Sequence, residues 1–294
     1  MQTKRSIFTN RWLPYVLLAP QLIITLIFFI WPASQAVTSS FERQDPFGFR
    51  TTFVWFENYT RVLSDPSYAN ALWNTAVFAF GVVAVSMGFA LLLAVCVDRA
   101  IRTARLYTTL LVWPYAVAPV VAGVLWWFLF NPTIGLLPYI LEGFGYDWNH
   151  RVSGGQAMAL IVIASAWKQI SYNFLFFVAG LQSVPASLSE AASIDGAGPF
   201  KRFWTIIFPL LSPTTFFLMI ININYVMFES FGTIDATTSG GPGQSTTTLV
   251  YKVYVDGVAG LNIGSSSAQS VLLMGIVIFL TFIQFRYVER RVNY

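Results

Sequence analysis

Long apolar runs broken by short polar stretches set the rhythm of this chain. A charge-free run from Trp12 to Phe41 predicts a first membrane-crossing helix over residues 13–35. It is too long for the ~7–15-residue apolar region of a cleaved signal peptide. The absence of charge between Asp65 and Asp98 predicts a second helix over 72–97. Further runs predict helices over 106–130, 156–181, 208–231 and 268–285, each close to or above the ~20 residues that cross a bilayer. Pro114 and Pro119 should kink or break the third helix, as membrane helices tolerate where neighbours satisfy the freed carbonyls. Between the fourth and fifth lies a polar interruption, residues 182–207. It reads as helix, turn, helix. Gly196 and Gly198 stand where a left-handed turn is cheap, and Pro199 stands where a new helix can begin without losing a hydrogen bond.

Composition turns this pattern into a class. Of 294 residues, 56% are hydrophobic and 10% charged, against about 25% charged in ordinary soluble domains. Mean hydropathy is +0.62. Such a chain in water would expose large apolar patches, so it is an all-α integral membrane protein, read as one domain over 1–294 with six spans. Its net charge of +4 reflects loop asymmetry rather than nucleic-acid binding. Lys4, Arg5, Arg11, Arg99, Arg102, Arg105, Lys201, Arg202, Arg286, Arg290 and Arg291 fall on one side of the predicted spans. Arg43, Arg50, Arg61, Arg151 and Lys252 fall on the other. The positive-inside rule then puts both termini and residues 182–207 in the cytoplasm.

Candidate chemistry is sparse. One cysteine (Cys96) and one histidine (His150) leave no intrachain disulfide and argue against His-based metal sites or a Ser-His-Asp triad. No phosphate-binding G-x-x-x-x-G-K-[ST] loop and no hydrolase motif occurs, so neither ATP binding in the P-loop manner nor catalysis is expected of this chain. Two polar stripes cross apolar runs. Ser165, Lys168, Gln169, Tyr172 and Asn173 share one face of the fourth helix, and Asn222, Tyr225 and Glu229 share one face of the fifth. An ionisable residue in mid-membrane costs roughly 2.5–3.5 kcal/mol on insertion scales and points to function. Lys168 is therefore expected to line a substrate path, or else to pair internally with Glu229. Asn222, Tyr225, Gln169, Tyr172 and Asn173 either join that path or hold helices together. The loop Ser239 to Gly243 could cradle an anion but reads more simply as a turn.

The polar interruption carries a longer signature. Glu190-Ala191-Ala192, Gly196, Ile206 and Pro209 resemble the EAA motif of ATP-binding-cassette importer permeases, and Asp195-Gly196-Ala197 with the preceding LQSVP resembles the carbohydrate-uptake (maltose-type) branch. Phe208 departs from the usual Leu before the proline but stays apolar. RWLPYVLLAPQLIIT, WPYAVAPVVAGVLW, WKQISYNFLFF and DATTSGGP extend the likeness over almost the whole chain, toward permeases that import sn-glycerol 3-phosphate. The resemblance implies a bacterial inner-membrane subunit carrying a cytoplasmic coupling helix between spans four and five, with Glu190, Ala191, Ala192, Asp195, Gly196 and Ala197 at the ATPase contact. It implies a second permease subunit, two ATP-binding subunits that hold ATP and Mg2+, and a periplasmic substrate-binding protein. The cargo is then sn-glycerol 3-phosphate or a related glycerophosphodiester. The alternatives are a permease for an uncharged sugar and an ion-coupled carrier, and the latter leaves the EAA stretch unexplained.

Overall fold

The second long helix begins where a polar break supplies its cap. Asp65 accepts a hydrogen bond from the backbone N–H of Ser67 at 2.9 Å, and Pro66 occupies the first helical position. The helix therefore starts ahead of its apolar run. The computed structural model describes residues 12–45, 50–98 and 104–288. Lys4, Arg5, Arg11, Arg99, Arg102, Arg290 and Arg291, on which the expected orientation partly rests, lie outside the described residues. In chain order the helices are α1 (Leu13–Ser40), α2 (Glu57–Ser64), α3 (Pro66–Asp98), α4 (Leu106–Ala116), α5 (Pro119–Leu129), α6 (Leu136–Gly143), α7 (Gly154–Ser183) and α8 (Ala186–Ile194). They continue as α9 (Pro199–Leu210), α10 (Ser212–Glu229), α11 (Phe231–Thr237), α12 (Leu249–Tyr254) and α13 (Ile263–Val288). A small antiparallel hairpin, β1 (Glu42–Gln44) with β2 (Thr51–Phe53), follows α1.

Four of these helices, α1, α3, α7 and α13, are long and apolar enough to cross a membrane alone. Two bent pairs pass the same test jointly: α4 with α5, bent by 102°, and α9 with α10, bent by 65°. The first bend has a local cause. Ala118 precedes Pro119 and is extended (φ −61°, ψ 144°), as the proline ring requires of its predecessor.

Packing follows the helical period. The residues buried on α3 are Tyr68, Ala71, Thr75, Phe78, Val82, Ser86, Ala90, Ala94 and Val97, one stripe with steps of three and four. That stripe lies along α7 in the most extensive helix–helix contact among the described residues. Away from it, Trp73 and Phe80 are 69% and 77% exposed, a surface matched by lipid tails and not by water. Close approach elsewhere depends on Gly123, where a Cβ would stand 2.9 Å from Ala236 Cβ and 3.0 Å from the Thr233 carbonyl oxygen. Any side chain there would drive α5 off α11.

A polar cluster ties three elements together. Lys252 Nζ lies 3.3 Å from Asp65 and 3.1 Å from Asp256, and Gln269 Nε2 donates to Asp256 at 2.6 Å. The start of α3, the π turn after α12 and the body of α13 are joined this way. The Ser67 hydroxyl above all holds the Asp65 carboxyl below its ordinary value of 3.8; burial opposes it, and the Ser67 backbone N–H and Lys252 lower it further. A carboxylate with a depressed folded-state pKa stabilises the fold above its unfolded value and loses that contribution as pH falls through the folded one. Asp65→Asn is thus expected to lower the thermal unfolding midpoint at neutral pH. Its gap to the parent should close below about pH 4. A gap that stays constant across a pH series of melts would remove this role.

Candidate functional site

The polar residues of α7 occupy two adjacent ridges with different surroundings. Ser165, Gln169 and Asn173, each four apart, are buried against the rest of the molecule. Asn222 on α10, at 0% exposure, meets Gln169 and Asn173. Asn222 Nδ2 donates to Asn173 Oδ1 at 2.8 Å and to the Leu218 carbonyl at 2.7 Å. Its own Oδ1 faces Ser86 Oγ at 3.1 Å, with Gln169 Nε2 and Asn173 Nδ2 both at 3.3 Å. Asn173 Nδ2 also donates to Ser86 Oγ at 3.0 Å. This knot joins α3, α7 and α10 at one level. Sequence reading missed Ser86, since a lone serine in an apolar run carries no signal of its own.

Removing one member strands the others. Asn222→Leu leaves Asn173 and Ser86 short of partners in an apolar setting, at about 1–3 kcal/mol for a buried unsatisfied group. The expected result is a lower unfolding midpoint in detergent, with Asn173→Leu/Asn222→Leu less destabilised than the sum of the single changes. Strict additivity would show that the knot is not a unit.

The second ridge of α7 opens outward. Lys168 and Tyr172 are only half-buried, and Lys168 makes none of the ion pairs found within 4 Å among the described residues. Glu229, in the π turn Tyr225–Glu229, is exposed and close enough to act electrostatically on Lys168 without pairing. Across from Tyr172, with ring centroids 5.3 Å apart, stands Tyr115. It lies in the 3-10 turn Trp113–Ala116, at the break between α4 and α5. The packing of its segment against α7 brings it there, so spacing along the chain could not have found it. Tyr225 is 3% exposed, and its buried hydroxyl lies near those of Ser165 and Thr233. A half-buried ammonium on a spanning helix can bind an anion.

Residues 182–207 form an elbow. Helix α8 ends in a Schellman turn: the Gly196 N–H donates to the Ser193 carbonyl at 3.1 Å and the Ala197 N–H to the Ala192 carbonyl at 2.9 Å. Gly196 has φ +79°, so glycine is needed for its backbone and not for space, since a Cβ there would meet nothing within 4 Å. Pro199 opens α9 behind Gly198. Arg202 Nη1 then donates to the Ser189 carbonyl at 3.2 Å, fixing the start of α9 to α8. Glu190, Ala191, Asp195 and Gly196 are exposed, while Ala192 and Ala197 are half-buried. Ile194 beside them is 86% exposed, an apolar residue presented outward.

The remaining sequence features have simpler places. Ser239–Gly243 is a turn closed by its own threonines, Thr246 Oγ1 donating to the Gly241 carbonyl at 2.8 Å and Thr247 Oγ1 to that of Gly240 at 3.1 Å. His150 is 3% exposed, and burial pushes its imidazole below the ordinary value of 6.5. Among the described residues no group of three His, Cys, Asp or Glu side chains could hold a metal ion.

Comparison with known proteins bears on this geometry. Residues 68–294 match the family described as binding-protein-dependent transport system inner membrane component. The chain is 59% identical over 287 residues, 98% of each chain, to the sn-glycerol-3-phosphate transport system permease protein UgpA of Brucella abortus. It is 55% identical over 294 residues, 100% of each, to the protein of that name from Pectobacterium atrosepticum. A crystal structure of a bacterial alginate ABC transporter, in complex with an alginate pentasaccharide-bound periplasmic protein, contains a chain of the same fold. Its TM-score is 0.82 at 18% identity, covering 95% of this chain and 94% of that one. The apolar bundle, the exposed elbow and these full-length likenesses agree: the chain belongs to the binding-protein-dependent inner membrane components, the permeases of ATP-binding-cassette importers, and is a multi-pass transport subunit rather than an enzyme.

Proposed function

We propose that this chain forms half of the passage through which an importer carries sn-glycerol 3-phosphate, or a related glycerophosphodiester, into the cell. The observation that carries this reading is Lys168, a half-buried cation on a spanning helix without an ion-pair partner, in a chain whose full-length relatives are named for a phosphorylated cargo. A phosphate in a low-dielectric path needs such a partner. Lys168 and Tyr172 line the path with Tyr115 opposite and Glu229 at its margin. Gln169, Asn173, Asn222 and Tyr225 form the wall behind them.

In this reading residues 1–294 act as one transmembrane domain of six spans, each bent pair counting as one, with both termini in the cytoplasm. Helix α8 is the coupling helix. Glu190, Ala191, Ala192, Asp195, Gly196 and Ala197 meet one of two ATPase subunits, which hold the ATP and Mg2+; this chain holds neither. A second permease subunit covers the open Lys168 ridge, and a periplasmic binding protein delivers cargo to the opposite face. Competition decides the cargo. Uptake through the assembled importer is expected to be suppressed by unlabelled sn-glycerol 3-phosphate and left intact by neutral disaccharides. Suppression by the disaccharide alone would reverse the assignment.

A further inference from the structure

Four aromatic rings touch in sequence along the open side of α7. Tyr172 packs on Phe176, one turn further on, with ring centroids 4.8 Å apart. Phe176 meets Phe217 of α10 at 5.2 Å. Tyr115 closes the series at its other end, 5.3 Å from Tyr172. Phe176, Phe217 and Tyr115 are 36%, 39% and 46% exposed, so the rings border open space instead of filling the core.

The rings stand on unequal supports. Asn173, next after Tyr172, accepts from Asn222 at 2.8 Å, and Asn222 also donates to the carbonyl of Leu218, next after Phe217. The amide knot thus holds α7 to α10 at this level, and three of the rings with them. Tyr115 has a different footing. It sits in the 3-10 turn Trp113–Ala116, and such a turn within a long helix often marks a hinge. Val117 and Ala118 after it are extended, and the chain bends there by 102°. Three rings on a pinned pair of helices therefore face one ring on a joint. A ring pair shifts an equilibrium by about two- to tenfold, enough to favour contact and little enough to be released.

We propose that Tyr115 is the moving half of a gate on the cytoplasmic side of the passage, closing on Tyr172 with Phe176 and Phe217 as its fixed backing. The proposal rests on the reading that the Lys168 ridge lines the passage. Tyr172 lies four residues beyond Lys168, about 6 Å further along α7, toward the end that leads into α8. A solute held at Lys168 then leaves toward the elbow only when the two rings part. Rotation at residues 116–118 withdraws Tyr115 and leaves every hydrogen bond of the knot in place, so the gate opens without exposing a buried amide.

The test uses the full-length chain in its assembled importer, reconstituted in proteoliposomes. Tyr115→Cys/Tyr172→Cys, in a Cys96→Ser background, is treated with a short bifunctional thiol reagent. Closure of the ATPase subunits, transmitted through α8, should shut this side. Arrest of hydrolysis by vanadate should therefore raise the cross-linked yield about tenfold over the nucleotide-free importer, as for a joint moving from a minor to a major population. Vesicles loaded with labelled sn-glycerol 3-phosphate should drain through a vanadate-arrested Tyr115→Ala importer, while the parent and Tyr115→Phe stay tight. A ring that served packing alone would lower assembly without opening this leak. Yields that are equal in the two states, or higher without nucleotide, would overturn the gate. So would an assembled Tyr115→Ala importer as tight as the parent. Failure of the gate and failure of the passage read differently, since Lys168→Gln lowers uptake in the first case and leaves it normal in the second.

Discussion

Glu190→Lys is expected to abolish substrate-stimulated ATP hydrolysis while leaving the chain folded and inserted. Glu190 is exposed on α8, so reversing its charge removes no internal contact. The consequence falls on the partner. A carboxylate docked in a cleft beside a basic residue makes a charge-assisted hydrogen bond, and truncating one side of such a buried pair costs about 2–5 kcal/mol. Reversal adds repulsion, so affinity for the ATPase subunit should fall by about thirtyfold or more. Gly196→Pro should have the same outcome by a different route. Proline cannot adopt the φ of +79° found there, and it removes the N–H that bonds to the Ser193 carbonyl. Both variants are checked by co-purification of the ATPase and by hydrolysis in the presence of loaded binding protein. Parent-level stimulation in an assembled Glu190→Lys complex would dismiss α8 as the coupling element.

Lys168→Gln should reduce uptake of sn-glycerol 3-phosphate by about ten- to hundredfold, the equivalent of a lost hydrogen bond to a charged group at about 1.5–3 kcal/mol. Glutamine keeps a donor and nearly the same length, so the loss reports the charge. Because Lys168 is half-buried and forms none of the ion pairs among the described residues, the fold should tolerate the change, and assembly with the other subunits should be normal. Lys168→Arg should retain a measurable fraction of transport. Normal uptake by an assembled Lys168→Gln importer would mean that the residue serves packing alone.

The positions of the long helices were legible because lipid imposes a simple rule: uncharged runs of sufficient length must be helical. Their ends were less so. The cap at Asp65 and Pro66 lies outside the apolar run, and the structure begins α3 there. The bend at Ala118 was visible as two prolines, but its size of 102° and the meeting of Tyr115 with Tyr172 were not. The polar stripe on α7 was legible as a stripe but not as two ridges. At ~100° per residue, Lys168, Tyr172, Ser165, Gln169 and Asn173 fan over about 140°, too wide to face one neighbour. Burial divides them, with Gln169 and Asn173 facing the core and Lys168 facing out. Residue type could not make that division, because Asn, Gln and Lys are all polar. The Schellman turn was the clearest local signal, since Gly196 followed by Pro199 leaves few other ways to end α8 and start α9.

The knot of Ser86, Gln169, Asn173 and Asn222 has a mechanical consequence. Three struts pinned at a common height cannot slide past one another without breaking several hydrogen bonds in a medium that offers no replacements. They therefore travel as a single block. A stroke delivered at α8, in its proposed coupling role, would be taken up as flexure at the two bends, the 65° joint between α9 and α10 and the 102° joint beside Tyr115. In that role the block would be the piston of the device and the bends its bearings. Asn222→Leu, by loosening the block, would turn a transmitted stroke into slack.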